Sequence, residues 1–325
     1  MRIKELMRDE RKKFRRRLLA WYERHRRDLP WRANRDPYRI WLSEIMLQQT
    51  RVGAVIEHYQ EFLRRFPTVE KLAAAREASV LAAWSGLGYY RRARMLHAAA
   101  KVVVREYEGK FPTTAETWLG LPGVGRYTGG AIASIAFNQS VAVVDGNVER
   151  VLQRVSGKPL AGETLWEAAK DLLDAKRPGD FNQAMMELGA VVCTPRAPAC
   201  LRCPVIELCV TRGEMPRLAK PARQKKLEIH YVLHHRDGEI FLIRRSPGAS
   251  LMPGMWELPE LLSTNGAAGP SLTLRHSITI TDYTVRVWRD AVPSSVDGKW
   301  IPLDRLRQVA LTGLARKILR KAEML

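Results

Sequence analysis

The chain of 325 residues has the composition of a folded protein and a large excess of positive charge. Apolar residues make up 46% and charged residues 27% of the chain, which excludes a largely disordered protein. Lysine and arginine total 54 and aspartate and glutamate total 34, so the formal net charge is +20. This excess predicts a polyanionic partner, and it favours a nucleic acid over a membrane surface or a merely solubilising basic surface.

The N-terminal segment is basic but lacks the features of a targeting signal. No apolar signal sequence follows its charges, and Glu5, Asp9, Glu10 and Glu23 interrupt it, whereas a transit peptide is poor in acidic residues. No run reaches the roughly 18 apolar residues that a membrane-spanning helix needs. We therefore expect a soluble, intracellular protein.

Apolar side chains recur at helical spacing over most of the first 212 residues. This period predicts an all-α domain over residues 1–212, with helices over residues 37–51, 69–84, 92–107 and 126–137. Residues 213–226 contain prolines and basic side chains with few apolar ones, which is typical of a linker.

The sequence after the linker has the pattern of a smaller α+β domain over residues 227–325. Asp237 and Gly238 separate two strand-like runs, which predicts a hairpin. Residues 272–288 alternate β-branched and polar side chains and predict further strand, whereas residues 303–325 return to helical spacing. The predicted fold class is an all-α domain followed by a smaller α+β domain.

All four cysteines lie in one short segment, with the spacing Cys193-x6-Cys200-x2-Cys203-x5-Cys209. Soft sulfur ligands grouped in this way select zinc or an iron–sulfur cluster. Zinc sites usually pair two C-x2-C knuckles across a longer gap, whereas one compact loop suits a [4Fe–4S] cluster. We predict an iron–sulfur loop over residues 193–209, with zinc and free cysteines as alternatives.

Three local patterns mark further candidate residues. Gly123, Val124 and Gly125 form a glycine-rich turn before a predicted helix, where bare N–H groups and the helix dipole suit a DNA phosphate. Asp145 follows an apolar run and precedes a glycine, so it is a candidate functional carboxylate, with a helix N-cap as the alternative. Glu44 lies in mid-helix on an otherwise apolar face, where burial would raise the pKa of a carboxyl toward neutrality.

Several segments together resemble a known family. They are DLPWR, PYRIWLSEIMLQQTRV, GLGYYRRAR, LPGVGRYT, VVDGNVERV and FNQAMMELGAVVC, which leads into the cysteine loop. In this order and spacing they resemble the helix-hairpin-helix DNA glycosylases with an iron–sulfur cluster, and among these the MutY adenine DNA glycosylases. The C-terminal region, with LMPGMWELPE at residues 251–260, is similar to the Nudix-like second domain of that family.

The resemblance implies a reaction and roles for the candidate residues. The family flips adenine mispaired with 8-oxoguanine or guanine out of the duplex and cleaves its N-glycosidic bond in base excision repair. Glu44 would protonate the base, and Asp145 would stabilise the oxocarbenium ion electrostatically or by transient covalent attack. Tyr127, Asn147 and Glu187 would assist these two carboxyl groups. Related glycosylase/lyases carry a lysine where this chain has Tyr127, so we predict a monofunctional enzyme that leaves an abasic site.

Other residues are assigned by the same resemblance. One set matches positions that line the adenine pocket, although core packing alone also explains Trp31 and Leu47. This set is Leu29, Trp31, Arg32, Leu47 and Val52. A second set matches positions that contact DNA, namely Gln49, Leu87 and Tyr89 as a wedge, the turn Gly123–Gly125, and Thr279. The four cysteines would hold the [4Fe–4S] cluster.

The C-terminal region departs from the family at its recognition loop. Ile278-Thr279-Ile280 stands where the family has Phe-Ser-His, so recognition of 8-oxoguanine is altered or weaker, unless another loop corresponds to that motif. The Glu-rich metal-binding helix of Nudix hydrolases is absent, which predicts a recognition domain without hydrolase activity.

Two other functions remain open at this stage. A thymine glycosylase for T:G mispairs, from the same superfamily, can carry the same tyrosine and aspartate, and a non-catalytic DNA-binding protein could use the cluster as architecture. The expected partner is double-stranded DNA containing A:8-oxoG or A:G mispairs. We further expect a monomer and a cytoplasmic, nucleoid-associated location of the bacterial type.

Overall fold

The computed structural model describes residues 8–215, 225–261, 269–278, 280–292 and 296–325. Internal contacts divide the chain into two units, the first comprising residues 1–60, 68–73 and 98–218, and the second comprising residues 61–67, 74–97 and 219–325. Residues 74–97 thus belong by contact with the C-terminal region, whereas the helical period of the sequence places them with the N-terminal part.

The described part of the N-terminal 215 residues is helical, as expected. None of the described helices combines the length and the apolar character needed to cross a membrane. The helices are α1 (Arg8–His25), α2 (Pro37–Leu47), α3 (Val52–Arg65), α4 (Val69–Ala73), α5 (Glu77–Trp84), α6 (Arg91–Tyr107), α7 (Ala115–Trp118), α8 (Arg126–Phe137), α9 (Gly146–Ser156), α10 (Glu163–Leu172) and α11 (Pro178–Val191).

The predicted helix bounds hold for α8 and fail at two places. The expected helix over residues 37–51 ends at Leu47, and the next residues form a turn in which Gln49 has a φ of 56°. The expected helix over residues 69–84 is broken between Ala73 and Glu77, because Arg76 has an extended backbone conformation.

The first unit has a core in which α1, α9, α10 and α11 pack together with the cysteine segment, residues 193–209. Phe14, Leu152 and Leu172 are completely buried in this core, and Val205 and Leu208 from the cysteine segment join it. Each such side chain stabilises the fold by roughly 1.5–3 kcal/mol through burial. The loop that carries the cysteines is therefore held to the helices by its own apolar residues.

Helix α11 approaches its neighbours closely at two glycines. A Cβ atom on Gly179 would lie 2.5 Å from the carbonyl oxygen of Ser134 in α8, and one on Gly189 would lie 2.5 Å from the Cβ atom of Asn147 in α9. Backbones can meet at this distance only where one residue lacks a side chain. The contact at Gly179 packs α11 closely against α8, and the contact at Gly189 packs it closely against the start of α9.

Helices α7 and α8 form a hairpin across a glycine-rich turn. Gly123 has a φ of 75°, a left-handed conformation that favours glycine, and Gly125 is the N-cap of α8. A Cβ atom on Gly129 of α8 would lie 3.1 Å from the carbonyl oxygen of Ala115, so the two helices cross closely. The turn predicted from the sequence is therefore present at the N-terminus of α8.

The described residues of the C-terminal region form two small sheets and a helix, as the α+β prediction requires. In one sheet β1 pairs in parallel with β6, which pairs antiparallel with β5; in the other, β3 pairs antiparallel with β2, β4 and β7. The elements are β1 (Lys225–Val232), β2 (His235–Arg236), β3 (Glu239–Arg244), β4 (Trp256–Glu257), β5 (Leu272–Ile278), β6 (Thr281–Trp288), β7 (Lys299–Pro302) and α12 (Gly313–Lys321).

The hairpin predicted at Asp237-Gly238 is confirmed, with φ values of 48° and 76° at its two turn residues. The predicted C-terminal helix is shorter than expected, because residues 303–308 form a 3₁₀ turn before α12. Within the second unit, Leu311 anchors the segment before α6. Its carbonyl oxygen accepts hydrogen bonds from the hydroxyls of Ser85 (2.8 Å) and Tyr90 (3.1 Å).

Candidate active site

A cavity of about 560 Å³ in the first unit brings most of the predicted site residues together. The predicted catalytic residues Glu44, Tyr127, Asp145, Asn147 and Glu187 all line it. So do the predicted base-pocket residues and one predicted wedge residue, namely Leu29, Trp31, Arg32, Leu47, Val52 and Gln49. Trp31 also packs edge-on against Tyr59, with ring centroids 5.4 Å apart, so it serves both the core and the cavity wall.

Glu44 lies on α2 with its carboxyl group buried and one strong hydrogen-bond donor beside it. The Tyr127 hydroxyl donates to Glu44 Oε2 at 2.6 Å and lies 3.2 Å from Met186 Sδ. Burial raises the pKa of Glu44 to about 7, against the lowering effect of the Tyr127 hydrogen bond. Burial also raises the pKa of Tyr127 well above its ordinary value, so this hydroxyl stays protonated. The pair can hold and deliver a proton near neutral pH.

Asp145 is the N-cap of α9, so the alternative reading of this residue is also correct. Its Oδ1 accepts hydrogen bonds from the backbone N–H groups of Asn147 (3.0 Å) and Val148 (2.7 Å). Its Oδ2 accepts from Asn147 Nδ2 at 2.9 Å. The cap fixes the carboxylate at a positive helix end while it still lines the cavity, which suits a fixed negative charge.

Glu187 lies on α11 and is bound by two arginines. Arg27 donates from Nε to Glu187 Oε1 (2.7 Å) and from Nη2 to Oε2 (2.8 Å), and Arg32 donates from Nη2 to Oε2 (2.9 Å). Burial would raise the pKa of Glu187, but the hydrogen bonds from Arg27 and Arg32 outweigh it and lower the pKa to about 2. Glu187 is therefore a permanent anion at neutral pH.

Sequence reasoning missed several residues of the cavity wall, and helical spacing could have found most of those on α2 and α11. Gln183, Met186 and Ala190 line the cavity and lie four, one and three residues from Glu187 on α11. Ile40 and Ser43 do the same beside Glu44 on α2. Positions separated by three, four and seven residues share one helix face, so Glu187 predicts Gln183 and Ala190, and Glu44 and Leu47 predict Ile40 and Ser43. Met186 is adjacent to Glu187 and does not follow from this spacing. Arg27 lies outside the helices, so helical spacing does not predict that it lines the cavity.

The remaining DNA-contact candidates lie outside this cavity. Gly123 and Gly125 are exposed in the turn before α8, whereas the Val124 side chain is buried. Leu87 and Tyr89 belong to the second unit, where the Leu87 side chain is 6% exposed and the Tyr89 side chain 49% exposed. Thr279 lies outside the described residues.

The four cysteines lie directly after α11, and none of them forms a disulfide bond in the described structure. Among the residues that the structure describes, no group of three or more His, Cys, Asp or Glu side chains is arranged to hold a metal ion. The segment is fastened by arginines of α9. Arg154 donates to Cys193 Sγ (3.3 Å) and to the Thr194 carbonyl (2.7 Å), and Arg150 joins the Cys193 carbonyl (2.7 Å) to Asn147 Oδ1 (2.8 Å).

Comparison with known proteins places this arrangement in a family. Residues 42–170 match the HhH-GPD superfamily of base excision DNA repair proteins. The adenine DNA glycosylase of Mus musculus is 48% identical over 254 residues, covering 72% of this chain and 48% of the mouse protein. That of Schizosaccharomyces pombe is 33% identical over 319 residues, covering 77% of this chain and 69% of the yeast protein. A solved thermostable thymine-DNA glycosylase is 34% identical with a TM-score of 0.59, covering 63% of this chain and 97% of that one.

The chain belongs to the MutY adenine DNA glycosylase family of the HhH-GPD superfamily. This confirms the resemblance seen in the sequence. The superfamily match includes Glu44, Tyr127 and Asp145, and it ends before Glu187 and the cysteines. The chain spans about half the length of the mouse relative.

Proposed function

We propose that this protein is a monofunctional DNA glycosylase that removes adenine mispaired with 8-oxoguanine or guanine from duplex DNA. One observation carries the proposal. The carboxyl group of Glu44, with a pKa raised to about 7 by burial, and the capped carboxylate of Asp145 line one cavity of about 560 Å³. Excision of a protonated base through an oxocarbenium-like state needs one acid and one anion of this kind.

The reaction follows from these two groups. Adenine flips into the cavity, and protonated Glu44 donates its proton to the base while the N-glycosidic bond breaks. The bonding electrons leave with adenine, and positive charge develops at the C1′ atom and the ring oxygen of the sugar. Asp145 stabilises this charge, and a water molecule then forms the new bond to C1′ and gives a proton to the Glu44 carboxylate, which restores the acid. The products are free adenine and an abasic site.

Tyr127 limits the reaction to base removal. Strand cleavage through an imine needs a nucleophilic amine at the sugar. The phenol of a tyrosine cannot form an imine. The Tyr127 hydroxyl instead donates to Glu44, so it holds the acid in place. We expect no efficient nicking of the DNA strand.

We also propose that Cys193, Cys200, Cys203 and Cys209 bind a [4Fe–4S] cluster. Four soft sulfur donors in one compact loop fit this group, and Arg154 fastens the start of the loop. When bound, the cluster would order the loop. Iron and sulfide in near-stoichiometric amounts, with visible absorbance in the purified protein, would support this proposal, whereas a colourless protein with stoichiometric zinc would contradict it.

For the C-terminal region we propose a Nudix-like recognition domain over residues 227–325, after a linker at residues 213–226, in a protein that acts as a monomer. The family's Phe-Ser-His motif is replaced by Ile278-Thr279-Ile280. The expected consequence is a smaller preference for 8-oxoguanine over guanine opposite the excised adenine.

Removal of thymine from T:G mispairs is the second candidate, because the solved thymine-DNA glycosylase is 34% identical. The adenine DNA glycosylases of mouse and yeast match 72% and 77% of this chain, whereas the thymine enzyme matches 63%. The greater extent of the adenine matches favours adenine.

A panel of duplexes tests the proposal. Duplexes with A:8-oxoG, A:G, T:G and A:T pairs are incubated with the protein and resolved with and without alkali. We expect strand breaks only after alkali and only for the first two pairs. The variant Asp145→Asn should excise about 10²–10³-fold more slowly, while asparagine keeps the N-cap and therefore the stability. Release of thymine but not adenine would overturn the proposal.

A further inference from the structure

The segment before α6 holds one aromatic side chain in an unusual backbone conformation. Gly86, Gly88 and Tyr89 all have positive φ values, of 111°, 70° and 49°. A left-handed conformation is uncommon for a residue with a side chain, since its Cβ atom meets the backbone. The turn keeps Leu87 buried and leaves the Tyr89 side chain 49% exposed.

Arg92 lies beneath this turn and contacts both of its aromatic neighbours. Its guanidinium carbon is 5.5 Å from the ring centroid of Trp84 and 5.4 Å from that of Tyr89. Its Nη2 atom donates to the carbonyl oxygens of Leu87 (3.4 Å) and Gly88 (3.3 Å). Trp84 Nε1 donates to the same Gly88 carbonyl at 3.1 Å. The Arg92 guanidinium therefore contacts both the backbone carbonyl groups of the turn and the Tyr89 ring.

We propose that Arg92 is a positioning residue that holds the Tyr89 ring, by a cation–π contact from a guanidinium that also contacts Trp84 and the turn carbonyls, in the orientation in which it enters the DNA base stack. The proposal rests on the proposed function, because it requires that the protein binds duplex DNA, and on the family resemblance, which implies that Tyr89 is a wedge. Ordering a side chain before binding removes part of the entropy cost of association. The planar guanidinium contacts two rings while its Nη2 atom donates to two carbonyl oxygens, a geometry that the compact ammonium of lysine does not reproduce.

The contacts distinguish this role from a direct contact with a DNA phosphate. Arg92 is half-buried, and burial lowers its pKa to about 10, so it remains charged at neutral pH. Its Nη2 group already serves two carbonyl oxygens of its own turn. The neighbouring Arg91 is exposed at the start of the same helix and offers a matched control for the loss of one positive charge.

A double-mutant cycle tests the proposal. The variants are Arg92→Met, Tyr89→Ala and the two combined, with Arg91→Met as the charge-matched control in both backgrounds. The probe is a duplex with a tetrahydrofuran abasic-site analogue opposite guanine, so that binding needs no excision. Circular dichroism and Tm show whether each variant is folded, and Arg92→Lys replaces Arg92→Met in the cycle if the latter does not fold.

We expect Arg92→Met to weaken binding by about fivefold to tenfold when Tyr89 is present, and by less than about twofold in the Tyr89→Ala background. Arg92→Lys should restore little of the lost binding, because lysine keeps the positive charge but lacks the planar guanidinium. Arg91→Met should act equally in both backgrounds and lower the salt dependence. Equal effects of Arg92→Met in both backgrounds, or full rescue by lysine, would overturn the proposal.

The cycle is separable from the proposed reaction. A wild-type protein that bound the abasic duplex but released no adenine would refute the proposed activity, and the cycle would still decide the role of Arg92. A wild-type protein with no preference for the abasic duplex over an intact one would refute the role of Arg92 as well.

Discussion

Two walls of one cavity each carry a buried glutamate, and they shift the pKa of its carboxyl group in opposite directions. Glu44 on α2 and Glu187 on α11 are 7% and 1% exposed, and both line the cavity. The pKa of Glu44 is raised to about 7, whereas that of Glu187 is lowered to about 2. Near neutral pH one group holds a proton that it can give away, and the other is a fixed anion.

The difference lies in the partners rather than in the burial. Burial raises the pKa of both groups, but Glu44 receives one hydrogen bond from the neutral Tyr127, and Glu187 receives several from the cations Arg27 and Arg32. A neutral donor offsets little of the cost of burying a charge, whereas two guanidinium groups outweigh it. The same residue type thus supplies the acid on one wall and negative charge on the other.

The largest expected effect comes from Glu44→Gln, which removes the proton donor and keeps the shape of the side chain. Excision of adenine in a single-turnover assay should fall by about a thousandfold. The fold should not suffer, because wild-type Glu44, with its pKa raised from 4.5 to about 7, is stabilising when neutral and costly when charged. Relative to the variant, wild type should lose about 3 kcal/mol of unfolding free energy between about pH 4.5 and pH 7.

Denaturant unfolding at pH 5 and pH 8 measures this difference, and Glu57→Gln on the exposed part of α3 is the matched control. The control should change neither excision nor the pH dependence. A Glu44→Gln protein that lost stability relative to wild type as the pH rose would contradict the assignment of Glu44 as the neutral acid.

Glu187→Gln probes the opposite wall and should mainly reduce stability. The wild-type carboxylate, with its pKa lowered from 4.5 to about 2, contributes stability that is present above pH 4.5 and lost as the pH falls toward 2. Its replacement leaves Arg27 and Arg32 without their anion and should cost about 3 kcal/mol at pH 7. Urea unfolding measures this loss, and Arg27→Lys is measured in parallel. A Glu187→Gln protein as stable as wild type at pH 7 would show that Glu187, Arg27 and Arg32 do not act as a paired cluster.

The sequence predicts the cavity wall that carries Glu44 better than the wall that carries Glu187, and the reason is physical. The apolar period around Glu44 and the period that follows the glycine turn are local signals. The first predicts the helix that carries Glu44, although α2 ends at Leu47, and the second correctly predicts a helix over residues 126–137. The pair of Arg27 with Glu187 joins residues 160 positions apart, which no local period records. The early end of α2 also has no glycine to mark it, because Gln49 takes the left-handed conformation itself.

The smallest effect is expected from Tyr127→Phe. This variant tests whether the hydrogen bond from the Tyr127 hydroxyl to Glu44 tunes the pKa of Glu44. The Tyr127 hydroxyl donates to Glu44 Oε2 and lowers the pKa of Glu44, against the larger effect of burial. Without that donor the pKa of Glu44 should rise. Because an acid works only while protonated, the decline of excision on the alkaline side should move to higher pH, by about 0.7 pH unit for a hydrogen bond of about 1 kcal/mol. Single-turnover rates of wild type and variant from pH 5 to pH 9 would measure this, and a decline that moved to lower pH would mean that Tyr127 stabilises the protonated form of Glu44 instead.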